Sequence, residues 1–100
     1  MDLFSPHMER IHALCRSHGV RSLHAFGSAA RGEENDQSDV DLLLESTLKD
    51  PKEYTMHYFA LIEGLEELFG RSVDLLDQGN INNPYRLQLI DRDKVKLYGA

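Results

Sequence analysis

Two aspartates alternate with apolar residues in the run of residues 39–44, and this pattern constrains the fold more than any other feature of the sequence. Successive side chains of a β-strand point to opposite faces, so Asp39 and Asp41 share one face. Val40, Leu42 and Leu44 share the other. Because aspartate is depleted in strands, we predict a strand whose apolar face is buried in a core while its carboxylates line a cleft.

A second strand-like run repeats this device, because Asp74 lies between Val73 and Leu75. If the two strands are neighbours, the carboxylates of Asp39, Asp41 and Asp74 converge. Two unit charges about 4 Å apart repel by roughly 4 kcal/mol at an effective dielectric constant near 20. That repulsion is large beside the roughly 5–15 kcal/mol that stabilises a typical domain. We therefore expect a bound cation, and an all-oxygen ligand set favours Mg²⁺ or Mn²⁺. Mg²⁺ leaves coordination positions to substrate phosphates, so the pattern predicts a nucleoside triphosphate.

A Gly-Ser pair, Gly27 and Ser28, ends the apolar run that precedes the aspartates. Glycine lets the backbone approach a ligand closely, and Ser28 offers a hydroxyl and an N–H at the start of a short predicted helix. Exposed N–H groups at a helix N-terminus bind phosphate. Arg31 follows shortly, and either a phosphate contact or a structural salt bridge would explain it.

The rest of the chain alternates between helical and strand-like patterns. Each of the three prolines follows a residue that can cap a helix. We predict helices over about residues 6–18, 51–69 and 84–91, and strands over residues 22–26, 40–44, 72–76 and 95–98. This order predicts an α/β or α+β domain, a small mixed sheet of about four strands with helices packed on it.

Length and composition narrow the class of protein. At 100 residues the chain is expected to form one domain over residues 1–100. Its formal charge of −6 argues against direct nucleic acid binding, which draws its affinity from clustered Lys and Arg. Cys15 lies on an apolar helical face and is expected to be buried and inert. No apolar run approaches a membrane span and no signal peptide is visible, so we expect a cytoplasmic protein without a membrane partner.

A family resemblance rests on the segment GSAARGEENDQSDVD. Its Gly-Ser pair, ten intervening residues and Asp-x-Asp resemble the signature of the DNA polymerase β-type nucleotidyltransferases. Arg31-Gly32 and the SDVDL run, with the small size of the chain, resemble the minimal nucleotidyltransferase (MNT) branch. Members of that branch commonly act as antitoxins for HEPN-domain toxins. The run SVDLLD is similar to the strand with the family's third carboxylate, and NPYRLQLIDRDKVKLYG is similar to its final helix and strand.

The resemblance implies a polymerase β-like fold and a Mg²⁺- or Mn²⁺-dependent enzyme. It would transfer AMP from ATP, most simply to a tyrosine of a cognate HEPN toxin, and release pyrophosphate. By resemblance, Asp39 and Asp41 ligate the metals, and Asp74 shares a metal and accepts the proton of the attacking hydroxyl. The residues expected to contact the nucleotide are Gly27, Ser28, Arg31 and Ser38.

Simpler interpretations exist for several of these residues. The aspartates could form a solvated strand face or ion pairs, and Ser28 could merely cap a helix. Asp77 is predicted to be a turn residue, and the tyrosines of the long helix to be packing residues. Two other functions fit the same motifs: an antitoxin that acts by tight binding without transfer, and a nucleotidyltransferase with a small-molecule acceptor.

Overall fold

In the computed structural model, which describes residues 3–32 and 39–99, four strands form one mixed sheet. The strands are β1 (Val20–Phe26), β2 (Val40–Ser46), β3 (Val73–Asp77) and β4 (Val95–Gly99). Their order across the sheet is β3-β2-β1-β4. β1 runs antiparallel to both β2 and β4, whereas β3 runs parallel to β2. The predicted α+β fold with a four-stranded mixed sheet is confirmed.

Helices connect these strands in the predicted order. They are α1 (Met8–Ser17), α2 (Gly27–Arg31), α3 (Pro51–Phe69) and α4 (Pro84–Asp93), with 3₁₀ turns at Ser5–His7 and Gln78–Asn80. The start and end of α3 agree with the prediction, and α4 continues two residues beyond it. Within the described ranges, no helix combines the length and the apolar character needed to cross a bilayer.

Local capping explains where α3 and α4 begin and where α3 ends. The carboxylate of Asp50 accepts a hydrogen bond from the Glu53 amide at the start of α3, and Gly70 ends that helix with φ +68°. Asn83 caps α4 by accepting from the Tyr85 amide. The predicted start of the first helix is wrong. A 3₁₀ turn precedes α1, whose N-cap residue makes no side-chain cap bond.

The main core lies between one face of the sheet and the helices α1 and α3. The predicted alternation holds, because Val40, Leu42 and Leu44 of β2 are all buried in this core. Burial also raises the pKa of the Cys15 thiol to about 12, as expected for an inert cysteine. The other fully or almost fully buried members include Ile11, Leu23, Ala25, Leu61, Leu65, Leu75 and Leu97. Leu43 and Ile90 are buried outside this cluster.

Side chains of α3 cover the outer edge of β3, which is an edge strand. The carboxylate of Glu66 accepts a hydrogen bond from the Val73 amide at 3.0 Å. The hydroxyl of Tyr58 donates to the carbonyl oxygen of Leu75. A strand with its outer polar groups satisfied in this way is a poor template for pairing with another chain.

Tyr54, like Tyr58, makes a polar contact with β3, so these tyrosines of α3 are more than packing residues. Tyr54 donates its hydroxyl hydrogen to the carboxylate of Asp77, the last residue of β3. Asp77 also accepts from the Gly79 amide at 2.8 Å and so caps the following 3₁₀ turn, which is the turn role predicted for it.

At the opposite edge of the sheet, His12 Nε2 of α1 lies 2.8 Å from the carbonyl oxygen of Leu97 in β4.

Candidate active site

The pairing of β2 with β3 brings two of the predicted site residues side by side. In the parallel register Asp41 is the partner of Asp74, and Leu42 is the partner of Leu75. Both leucines are buried in the core, so the two carboxylates lie on the opposite face of the sheet. Asp39 is exposed and directly precedes β2.

The electrostatic effect of this arrangement is seen at the Asp41 carboxyl. Burial raises the pKa of the Asp41 carboxyl above its ordinary value, and the negative charges of Asp74 and Asp39 raise it further. The nearby charge of Arg31 acts in the opposite direction. Like charges disfavour ionisation of a neighbouring carboxyl only over short distances. Asp41 is therefore the centre of the acidic cluster formed by Asp39, Asp41 and Asp74, and a cation placed there would relieve the repulsion between their carboxylates.

Gly27 lies directly against the Asp41 carboxylate of this acidic cluster. β1 ends at Phe26, which pairs with Asp41 across the antiparallel ladder. Gly27 then turns the chain with φ +71°, a conformation that side chains other than glycine rarely adopt. A Cβ atom at this position would lie 2.5 Å from Asp41 Oδ2, well inside van der Waals contact. Glycine is thus required both for the turn and for the space that the Asp41 carboxylate occupies.

The short helix α2 starts at this turn, one residue earlier than predicted. Ser28 therefore lies inside its first turn, and the N-cap residue is Phe26, which makes no side-chain cap bond. This placement disfavours the simpler interpretation of Ser28 as a capping residue. The first N–H groups of a helix have no partner within the helix. In α2 these N–H groups start at Gly27, next to the Asp41 carboxylate.

Arg31 contacts α4 in this structure. Its Nη1 lies 3.4 Å from Oδ2 of Asp93, and both side chains are partly exposed. The salt bridge that the sequence left as an alternative to a phosphate contact is therefore formed. The positive charge of Arg31 also lowers the pKa of the Asp41 carboxyl, against the effects of burial and of the neighbouring aspartates. The predicted nucleotide contact Ser38 lies outside the described residues.

The donor set is suited to a hard divalent cation. Among residues 3–32 and 39–99, no three carboxylate, imidazole or thiolate groups are arranged to hold a metal ion by themselves. Mg²⁺ does not require such a cage, because one or two carboxylates usually bind it together with water and substrate phosphates. Asp41 and Asp74 could supply such a pair of carboxylates, because they are register partners and the missing side chain of Gly27 leaves Asp41 space beside the start of α2.

Tyr58 is a residue near the site that the sequence pattern did not identify. Burial raises the pKa of its phenol, and the charges of Asp74 and Asp77 raise it further. The Tyr58 phenol thus lies within electrostatic range of Asp74, and its hydroxyl donates a hydrogen bond to Leu75, the next residue of the same strand. Its spacing from Tyr54 indicates one helix face, but only the packing of α3 on β3 shows what that face contacts.

Comparison with known sequences identifies relatives over most of the chain. A sequence profile described as the nucleotidyltransferase domain matches residues 8–97. A candidate protein adenylyltransferase of Methanocaldococcus jannaschii, MJ1379, is 38% identical over 76 residues, which are 76% of this chain and 75% of the relative. The protein adenylyltransferase MntA of Thermococcus cleftensis is 37% identical over 70 residues, which are 65% of this chain and 63% of that protein.

Solved structures share the fold. A structure described as a candidate minimal nucleotidyltransferase has a TM-score of 0.78 and 30% identity, with 95% of each chain covered. A toxin–antitoxin structure with AMP-PNP has a TM-score of 0.72 and 21% identity, covering 93% of this chain and 73% of that chain. A complex of a tri-AMPylated Shewanella oneidensis HEPN toxin with its MNT antitoxin has a TM-score of 0.65 and 18% identity, covering 95% and 71%.

These matches agree with the geometry of the site. The profile spans the Gly27 turn and all three aspartates, and the structure of similar size is covered almost from end to end. From its sequence, its fold and its paired aspartates, the chain belongs to the nucleotidyltransferase domain family.

Proposed function

We propose that this chain is a divalent-metal-dependent protein adenylyltransferase that transfers AMP from ATP to a tyrosine of a cognate HEPN-type toxin and thereby neutralises it. The observation that carries the proposal is the pairing of Asp41 with Asp74 on neighbouring strands, where the Gly27 turn lies directly beside the Asp41 carboxylate. The names of the relatives support the activity, and the toxin–antitoxin structures of the same fold support the kind of partner.

The reaction is a displacement at the α-phosphorus of ATP. The oxygen of the acceptor hydroxyl forms a bond to that phosphorus, the bond to the pyrophosphate oxygen breaks, and pyrophosphate leaves. Bound divalent ions would stabilise negative charge on the attacking and leaving oxygens. In the proposed arrangement Asp39 and Asp41 hold the metal, and Asp74 binds it and accepts the proton of the acceptor hydroxyl.

The start of α2 is proposed to bind the triphosphate. Gly27 and Ser28 would present backbone amides, and Ser28 its hydroxyl, to the β- and γ-phosphates. Arg31 would add positive charge from the same short helix if its contact with Asp93 is exchanged for one with phosphate. Ser38 is proposed as a further nucleotide contact on the strength of the sequence motif.

A protein acceptor is consistent with the charge of the chain. The net charge of −6 disfavours nucleic acid as the acceptor and favours a partner with a basic surface. Such a pair would act in the cytoplasm. We therefore place the acceptor on a second protein that docks beside the carboxylates.

The test combines the purified protein, the product of the neighbouring gene and Mg-ATP, and measures the partner's mass. An increase by one or more AMP groups is expected, and it should disappear with Asp41→Asn or Asp74→Asn. Asp91→Asn is the matched control, because Asp91 is an exposed residue of α4 that pairs with Lys94 and should leave transfer unchanged.

Two results would contradict the proposal. An unmodified partner with an active wild-type antitoxin would indicate neutralisation by binding, and the Asp39→Asn/Asp41→Asn variant would then still protect cells. Transfer of AMP to small hydroxyl compounds, with the partner protein unchanged, would indicate a small-molecule acceptor.

A further inference from the structure

The outer face of α3 carries two large apolar side chains that contact water. Met56 and Phe59 are 64% and 63% exposed. They are three residues apart and therefore lie on the same side of the helix. A stripe along this side, which we call the outer stripe, is formed by Lys52, Met56, Phe59 and Glu63. An apolar centre between charged ends is the composition of an interaction surface rather than of a solvated helix face.

The charges of the outer stripe complement each other when the stripe meets a second copy of itself. Lys52 lies four residues before Met56, and Glu63 lies four residues after Phe59. A two-fold axis between Met56 and Phe59 therefore places Lys52 of one copy opposite Glu63 of the other. The same axis places Met56 opposite Phe59. A parallel pairing would instead bring lysine against lysine and glutamate against glutamate.

The rest of the fold leaves this face available. The outer edge of β3 is covered by side chains of α3, and a carbonyl of β4 at the opposite edge lies beside His12. α3 packs on the sheet face that holds the core, whereas Asp41 and Asp74 lie on the other face. A partner seated on the outer stripe would leave the candidate active site open.

We propose that two copies of this chain form a symmetric dimer in which the outer stripes of α3 pack antiparallel. The interface is isologous, so each ion pair and each apolar contact occurs twice. The dimer presents two active sites that face away from the shared helix pair. This inference does not depend on the identity of the acceptor.

Crosslinking between engineered cysteines tests the predicted register. In the variant Lys52→Cys/Glu63→Cys, mild oxidation should give an intermolecular disulfide at each end of the interface. Neither single variant should crosslink. Positions 52 and 63 are separated by eleven residues, or about 16 Å along a helix. Two copies of one position then lie farther apart than the roughly 7 Å between Cα atoms that a disulfide tolerates. Cys15 is fully buried and does not interfere.

Sedimentation of the full chain tests the interface energetically. Phe59→Glu should weaken the dimer at least about tenfold, because it places a charge where the dimer would bury an aromatic ring. Leu89→Glu is the control, since Leu89 is an exposed apolar residue of α4, away from the outer stripe. Lys52→Glu should also weaken the dimer, and the double variant Lys52→Glu/Glu63→Lys should restore it.

Several outcomes would overturn the proposal. These are a wild-type chain that sediments as an 11.4 kDa monomer at every concentration reached, or a dimer that Phe59→Glu leaves intact. Crosslinking of a single-cysteine variant would reject the antiparallel register. If the wild type is monomeric and binds only the toxin through this face, the outer stripe is a surface for a different protein and the dimer is rejected.

Discussion

Replacing Gly27 with alanine tests the link between the Gly-Ser turn and the paired aspartates. The substitution has two effects that can be separated. The residue must keep φ +71°, and its Cβ would lie 2.5 Å from Asp41 Oδ2. The first effect acts on the stability of the folded chain, and the second acts on the position of a carboxylate.

The magnitudes of these effects differ. Holding a non-glycine residue in the left-handed region costs roughly 1–2 kcal/mol. A domain of this size loses about 4–8 °C in melting temperature per kcal/mol, so a fall of roughly 4–16 °C is expected. The clash itself adds little to this, because the end of the Asp41 side chain can rotate away. Moving that carboxylate by about 1 Å should lower AMP transfer on the order of 100-fold.

Gly70→Ala provides the matched control. Gly70 has φ +68° at the end of α3, and a Cβ there would meet no atom within 4 Å. It should therefore show the same loss of melting temperature with nearly wild-type transfer. The assays are thermal unfolding of each variant and AMP incorporation into the partner protein below the melting temperature. If Gly27→Ala transfers AMP as well as Gly70→Ala does, the contact between the turn and Asp41 has no functional role.

Three further predictions address the carboxylates, β3 and the histidines. Asp41→Asn should raise the unfolding free energy of the metal-free protein by roughly 0.2–1 kcal/mol, because it removes a repelling charge. It should also abolish the thermal stabilisation by Mg-ATP, and a destabilised variant in scanning fluorimetry would contradict the reasoning. Tyr58→Phe should cost about 1–3 kcal/mol in urea unfolding, since it leaves a strand carbonyl unpaired; an unchanged midpoint would show that this bond is not formed. His18 Nδ1 lies 2.9 Å from His57 Nδ1, and burial, then the charge of His57, lower the pKa of His18 below its ordinary value of 6.5. Because the unfolded chain takes up that proton first, this pair should leave stability unchanged above about pH 6.5 and reduce it as the pH falls below that value. The variant His18→Gln/His57→Gln should lose less stability than the wild type between pH 7 and pH 5, and identical pH profiles would count against the contact.

Local signals in the sequence determined the bounds of the long helix α3 and the candidate residues of the site. The bounds of α3 were predicted correctly because Asp50, Pro51 and Gly70 each act on adjacent backbone groups. The placement of Val40, Leu42 and Leu44 on the core face of β2 follows from the two-residue period of a strand, which tertiary packing does not alter. Aspartates at the polar positions of that period could therefore be identified as candidate ligands without a structure.

Strand pairing, in contrast, was decided only by the tertiary structure. Asp41 and Asp74 are 33 positions apart, and nothing local to either residue specifies that β2 and β3 are parallel and in this register. A shift of one residue would move Asp74 to the other face of the sheet. Contacts between distant segments also decided that Tyr58 holds β3 and that Arg31 contacts Asp93. Capping and periodicity act over a few bonds, whereas register and helix packing depend on segments that meet only when the whole core is formed.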